Sequence, residues 1–216
     1  DNADVKITNS LTFNTNANVA TTTAGSIYLG SGTSTSASTI SATVAGKTLT
    51  LQTTGTVNGN IAFGSVTNAS GGQYVAALTV NAGTGTVTLN GGSILTNGTT
   101  AAGNVAITGN VVLTVSVTID TNQTDAVDSG TVVLSGTVSA SVVDKTLTIT
   151  SNSPANNAGD VTLSTFGNGG GANQYVATVT VNAVASDNAA PKLDGKLTLT
   201  GDVLLDGTAA AADFLL

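Results

Sequence analysis

Residues 104–119, Asn-Val-Ala-Ile-Thr-Gly-Asn-Val-Val-Leu-Thr-Val-Ser-Val-Thr-Ile, decide the fold class of this chain. Apolar and mostly polar residues alternate in the second half of this stretch; the apolar set is Val111, Leu113, Val115, Val117 and Ile119. A period of two places the apolar side chains on one face of an extended strand and the others on the opposite face. The stretch therefore predicts β-strand with one buried face.

The same alternation recurs along the chain, for example at Leu49 and Leu51 and again at Leu147 and Ile149. Gly, Asn, Ser and Asp, which tolerate turn conformations, separate the alternating runs. Strong helix formers are scarce, because the chain has no Glu, Arg or Met and its Ala residues are scattered. Composition and pattern together predict an all-β protein.

Charged side chains are rare and unevenly placed. Residues 48–119 contain none, and the net charge of −7 lies mostly in the second half. Five lysines without arginine do not form a phosphate-neutralising surface, and few aromatic residues are present to stack on bases. The longest apolar runs are far shorter than the roughly 20 residues of a membrane helix. We therefore expect no nucleic-acid partner and no membrane insertion.

Segments recur in the same order about 100 residues apart, which indicates a tandem repeat. Gly59-Asn-Ile-Ala-Phe63 resembles Gly159-Asp-Val-Thr-Leu163, and Gln73-Tyr-Val-Ala76 matches Gln174-Tyr-Val-Ala177. The predicted organisation is one continuous unit over residues 1–216. It contains repeats at about 1–103 and 104–195, followed by a partial third repeat or cap at 196–216.

Two architectures suit a β repeat of this length. One is a right-handed parallel β-solenoid, with about five coils of roughly 20 residues in each repeat. The other is a pair of immunoglobulin-like β-sandwiches, which usually carry a Trp or a tyrosine corner. The chain has no Trp, and the alternating run 104–119 leaves no linker near residue 100. We therefore predict the right-handed parallel β-solenoid, with tandem sandwiches as the alternative.

Two strings carry a resemblance to a known family: Ala77-Leu-Thr-Val-Asn-Ala-Gly-Thr-Gly-Thr-Val-Thr-Leu-Asn-Gly91 and Gly109-Asn-Val-Val-Leu-Thr-Val-Ser-Val-Thr-Ile-Asp-Thr121. They resemble the β-strand repeats of filamentous-haemagglutinin-like bacterial surface proteins. The resemblance implies a secreted, extracellular structural protein, as subunit or segment of a self-assembling filament, surface layer or adhesin stalk. The low charge of the exterior and the apolar tail predict self-association into a homopolymer, and surface glycans of host or neighbouring cells are candidate partners.

Catalytic side chains are few. The chain has neither His nor Cys, which excludes His-assisted triads and thiol nucleophiles. A pair of aspartates hydrolyses glycosides in some β-solenoids, and the candidates are Asp120, Asp125 and Asp128, or Asp202 and Asp206. Neither group comes with an aromatic sugar platform. We predict no enzyme activity, no catalytic residue and no bound cofactor; a carbohydrate-binding or carbohydrate-cleaving β-helix is the alternative.

The densest cluster of oxygen-bearing side chains lies at residues 120–128. It begins like a calcium loop, but Asp125 stands where that loop needs Gly, and no Glu follows at the twelfth position. The pattern favours a solvated turn. Asp120, Asp125 and Asp128 are retained as candidate ligands for weakly bound Ca²⁺.

The chain closes on an apolar tail, Phe214, Leu215 and Leu216. A solenoid exposes unpaired backbone groups at its ends, which favours end-to-end pairing unless a cap covers them. The tail is predicted either to pack on the last coil as a short cap or to dock into a neighbouring subunit. We therefore treat these three residues as candidate assembly residues.

Overall fold

The computed structural model describes residues 3–22, 24–29, 38–54, 58–97, 103–123, 128–153, 157–171, 174–184, 194–207 and 212–216. In these ranges the protein is all-β, and no helix there is long and apolar enough to cross a membrane. The strands are β1 (Val5–Ile7), β2 (Leu11–Phe13), β3 (Ala17–Thr21), β4 (Ile27–Leu29), β5 (Thr39–Ala42), β6 (Lys47–Thr53), β7 (Ile61–Phe63), β8 (Ser65–Val66), β9 (Val75–Leu89), β10 (Ser93–Leu95), β11 (Val105–Leu113), β12 (Val117–Asp120), β13 (Val132–Ser135), β14 (Val138–Ala140), β15 (Lys145–Thr150), β16 (Val161–Leu163), β17 (Val176–Asn182), β18 (Leu197–Leu199) and β19 (Asp213–Leu215).

The strands pair in parallel and form a solenoid with three faces, which the chain visits in the order first, second, third. The first face holds β1, β4, β7, the second halves of β9 and β11, and β14. The second face is an 8-stranded sheet in the order β2, β5, β8, β10, β12, β15, β17, β19. The third face holds β3, β6, the first halves of β9 and β11, β13, β16 and β18. The predicted parallel β-solenoid is confirmed.

The coils are longer than the sequence predicted. Val5 pairs with Ile27, 22 residues later, and Val161 pairs with Leu197, 36 residues later. The expected coil of roughly 20 residues, about ten in all, is therefore wrong, and the second face carries eight strands. The physical reason is that each coil turns three corners, and the segments at these corners differ in length between coils.

Inward-facing aliphatic side chains stack in columns along the solenoid axis. On the second face, Ile40, Val66, Ile94, Ile119 and Ile149 are aligned in register, and each is buried. Parallel pairing places each of these side chains directly above its counterpart in the preceding coil. The period of two in the sequence therefore becomes a continuous apolar core.

Glycines form two columns at the corners. The column where the third face turns into the first contains Gly25, Gly59, Gly85, Gly109 and Gly136. The column where the second face turns into the third contains Gly103, Gly130, Gly159 and Gly195. A methyl group on Gly59 would overlap the carbonyl group of Gly25 in the coil below. Adjacent coils approach at these corners more closely than any other residue type permits.

Polar side chains at the corners, most of them directly after a glycine, bond neighbouring coils to each other. Asp4 Oδ1 accepts a 2.9 Å hydrogen bond from the backbone N–H of Ser26. Ser26 Oγ accepts one from Asn60 N–H at 3.0 Å, and Asn60 Oδ1 accepts one from Thr86 N–H at 2.9 Å. Another such bond runs from Lys196 N–H to Asp160 Oδ1, at 2.7 Å. These bonds satisfy backbone donors at the corners, which the strand ladders leave unpaired.

The sequence repeat does not contain a whole number of coils. The segment after Gly59 forms β7 on the first face, whereas its counterpart after Gly159 forms β16 on the third face. Likewise Gln73 precedes a third-face strand and Gln174 precedes β17 on the second face. In both pairs, the segment from the second repeat therefore lies on the face that precedes the face of its counterpart in the first repeat.

Candidate assembly surfaces at the solenoid ends

The first coil leaves the apolar core open at one end of the solenoid. Among the described strands, β1, β2 and β3 each have a single neighbour. Their inward side chains are only half-buried: Val5, Ile7, Leu11, Phe13, Ala17 and Val19. Their partners Ile27 and Ile40 in the second coil are fully buried. The half-buried residues therefore belong to the core column but have no coil beneath them in the described chain.

The last coil leaves the core open at the other end. Leu163 is fully buried, whereas Leu199, which pairs with it in the next coil, is 45% exposed. Val203 and Leu205, on the next pass of the chain across the first face, are half-buried. Within the described residues, both ends of the solenoid thus present a cross-section of the apolar core, framed by strand edges.

The apolar tail lies at this C-terminal end. Phe214 pairs with Val179 as part of β19, the last strand of the second face, and is half-buried against the core. Leu215 points to the opposite face of the strand and is 49% exposed, and Leu216 is 86% exposed. The structure therefore places Phe214 on its own last coil. The role of the three residues in assembly stays a prediction.

Charges differ between the two ends. At the first coil, Lys6 Nζ lies 3.5 Å from Asp4 Oδ2 and 5.6 Å from the centre of the Tyr28 ring. At the other end, Lys196 precedes β18, and Asp202 precedes Val203 on the first face. Because residues 1–119 carry no net charge, the protein is acidic towards its C-terminal end.

The pKa of the Asp4 carboxyl lies below its ordinary value of 3.8, first because Ser26 N–H donates to it and then because Lys6 is close. A lowered pKa in the folded state stabilises the fold above the ordinary pKa, and this contribution is lost as the pH falls through the lowered value. We therefore expect the Ser26 amide to keep its protection from hydrogen exchange at the ordinary carboxyl pKa of 3.8 and to lose it only as the pH falls further, through the lowered pKa of Asp4. Asp4→Asn, which keeps the acceptor oxygen without the charge, should remove that step; an identical profile in both proteins would contradict the assignment.

The candidate calcium residues stand on the two sides of one corner. Asp120 ends β12, and its Oδ1 accepts a 3.1 Å hydrogen bond from Asn122 N–H. Asp128 lies beyond the corner, and its Oδ1 accepts a 3.0 Å bond from Asn157 N–H in the next coil. Asp125 lies outside the described residues. In the part of the chain that the structure describes, no three acidic, His or Cys side chains group as metal ligands. The calcium site stays a prediction.

The second pair of candidate carboxylates, Asp202 and Asp206, lies at the C-terminal end. Both side chains are exposed. The carbonyl oxygen of Asp202 accepts Phe166 N–H at 2.8 Å, and Asp206 N–H donates to Val176 at 3.3 Å. Their backbones thus bond the last coil to the one below. The carbohydrate-directed alternative stays a prediction.

Sequence reasoning missed the half-buried residues of the first coil as assembly candidates. Their alternation resembles that of every other coil, so nothing local distinguishes an end strand from a central one. The nearest signal was the recurring Gly-polar-aliphatic corner motif, seen at Gly59-Asn-Ile61 and Gly159-Asp-Val161. The motif occurs at more than one corner of a coil, so it marks corners in the sequence but does not assign them to faces or identify the end coils.

Comparisons of this chain with protein-family models, with curated proteins and with solved structures find no match. The likeness to filamentous-haemagglutinin-like repeats is therefore an expectation from repeat texture.

Proposed function

We propose that this chain is a structural protein whose coils continue from one copy into the next, as a subunit or segment of a filament, surface layer or adhesin stalk. One observation carries the proposal: the apolar core is open in cross-section at both described ends. Stacking one copy on another would cover these side chains with the same kind of contact that joins neighbouring coils inside the molecule.

The physical gain comes from two sources. Covering half-buried aliphatic side chains such as Leu11 and Leu199 removes apolar surface from water. Parallel pairing also satisfies the edge groups of the end strands, which otherwise bond only to water. Residues 48–119, which belong to the central coils, are uncharged and add no repulsion between copies.

An extracellular, bacterial cell-surface location belongs to the same proposal. It is supported by the resemblance of the strand repeats to filamentous-haemagglutinin-like proteins and by the hydroxyl-rich, weakly charged sequence. A catalytic role is not part of the proposal; the described Asp120 and Asp128 side chains accept backbone hydrogen bonds at a corner.

Leu11→Lys is expected to prevent assembly. Leu11 faces inward at the open end, and a lysine there would place a charge in the apolar contact with the next copy, where burying it is costly. The fold of the monomer should survive, since a long side chain at an end coil can extend its ammonium group into water. Sedimentation velocity over a concentration series, with electron microscopy of the same samples, measures the loss.

Thr12→Lys is the matched control, because Thr12 is the next residue of β2 and its exposed side chain faces outward. It adds the same charge to the same strand and should assemble like the unmodified chain. Equal loss of assembly in both variants would point to charge alone and not to the core contact. An unmodified chain that stays monomeric at every concentration would overturn the proposed function.

A further inference from the structure

We propose that successive copies stack with a rotation of one face, so that β1 of one copy pairs with β18 of the copy beneath it. This deepens the proposed function and rests on it. The first face of each copy would then continue the third face of its neighbour, and the helical path of the coils would pass through the junction without a gap.

The order of the faces requires this rotation. The described chain last crosses the first face at Val203, and its last described strand, β19, lies on the second face, so the next open position along the path is on the third face, above β18. Stacking first face on first face would place β1 above Val203 and β2 above β19. The third face would then lack a strand between β18 and β3, which leaves unpaired backbone groups and a void in the core.

The hydrogen bonds between coils on the third face support the same pairing of β1 with β18. Val132 N–H donates to the carbonyl of Asp160, and Val161 N–H donates to the carbonyl of Lys196, both at 2.9 Å. On this face Leu197 N–H is the next donor, at the open end. Asp4 precedes Val5 as Lys196 precedes Leu197, so its carbonyl oxygen is the matching acceptor in the next copy.

The side chains fit this register. With β1 above β18, Val5 covers Leu197 and Ile7 covers Leu199, which extends two apolar columns of the third face. The next two contacts also join apolar residues. Leu11 and Phe13 of β2 would meet Val203 and Leu205, and the small residues Ala17 and Val19 of β3 would meet Phe214 of β19.

The charged residues at the two ends favour the rotated register over the unrotated one. In the rotated register, Asp4 stands above Lys196 at the corner position where polar side chains bond coil to coil. In the unrotated register, Asp4 stands above Asp202, and like charges directly opposite on neighbouring strands are destabilising. The rotated register therefore pairs opposite charges where the alternative opposes equal ones.

Cysteine cross-linking of the full chain tests the register. The protein contains no Cys, and β1 and β18 lie at opposite ends of the 11-stranded sheet, so a bond between them must join two copies. Neighbouring strands lie about 4.8 Å apart, which suits a disulfide. Under mild oxidation, Lys6→Cys with Thr198→Cys should give a ladder of multiples on a non-reducing gel. Lys6→Cys with Leu204→Cys, the pair set by the unrotated register, should give none.

Three results would overturn the rotation and leave the proposed function standing, provided that the unmodified chain assembles in sedimentation. They are a ladder from the Leu204 pair alone, equal ladders from both pairs, and no ladder from either pair. An unmodified chain that remains monomeric would overturn both proposals together. Circular dichroism of each variant confirms that the β fold is retained, and the single Lys6→Cys variant sets the background of dimers.

Discussion

Gly59→Ala is expected to lower the free energy of unfolding by about 3 kcal/mol. The added methyl group would overlap the carbonyl group of Gly25, which is backbone and cannot turn aside as a flexible side chain does. Relief requires the two coils to separate at this corner, which disturbs the hydrogen bond from Asn60 N–H to Ser26 Oγ between them. Denaturant unfolding followed by circular dichroism measures the loss.

Gly92→Ala is the matched control for the glycine column. Gly92 is exposed, and the nearest atom to an added methyl group is the Ser116 carbonyl oxygen at 3.6 Å, an ordinary contact. Its substitution should change the stability by no more than about 0.5 kcal/mol. Comparable losses at both positions would mean that close approach between coils at Gly59 is not what the glycine column provides.

Phe63→Ala is expected to lower the free energy of unfolding by between about 3 and 5 kcal/mol. Phe63 is fully buried on the first face, between its ladder neighbours Leu29 and Leu89. Truncation removes apolar contacts in both axial directions. The cavity cannot collapse easily, because hydrogen bonds between coils fix the spacing of the strands.

Phe63→Leu is the comparison for this core position. It keeps an apolar side chain with a smaller void, so the loss should be roughly 1 to 2 kcal/mol. Unfolding curves of both variants would separate the volume effect from the loss of an aromatic ring. Equal losses would contradict the view that the size of the cavity sets the cost.

Central coils supply stability, and end coils are available for contact. Ile94 and Ile119 are buried and have partners on both sides, whereas Leu11 and Leu199 have a partner on one side only. Substitutions in the middle should therefore change unfolding, and substitutions at the ends should change assembly. Separate measurements on the two groups of variants would test the proposed function apart from the fold.

The class of fold was predictable from local pattern. The alternation of Leu49, Leu51, Val111 and Leu113 became inward columns, because pleated strands send successive side chains to opposite faces. The run 104–119 indicated that the chain lacks a linker there, and in the structure β11 and β12 occupy that stretch on consecutive faces. These inferences need only the geometry of a strand.

The coil length and the phase of the repeat were not predictable in the same way. Gly159 could belong to the glycine column of Gly59 or to that of Gly130. Which column it joins depends on how many residues each intervening corner contains, and the structure places it directly above Gly130. Corner segments vary in length without changing the strand pattern. Sequence similarity at a spacing of about 100 residues was therefore mistaken for a whole number of coils.

The sequence by itself determined the strands, the inward faces and the scarcity of catalytic side chains, because these depend on residue type and on a period of two. Only the tertiary structure decided which strands are neighbours, where the glycine columns stand and which residues lie at the open ends. The paired strands of this solenoid lie 22 to 36 residues apart along the chain. Their register depends on the lengths of all three corner segments in each coil. A local sequence pattern contains no information about this sum.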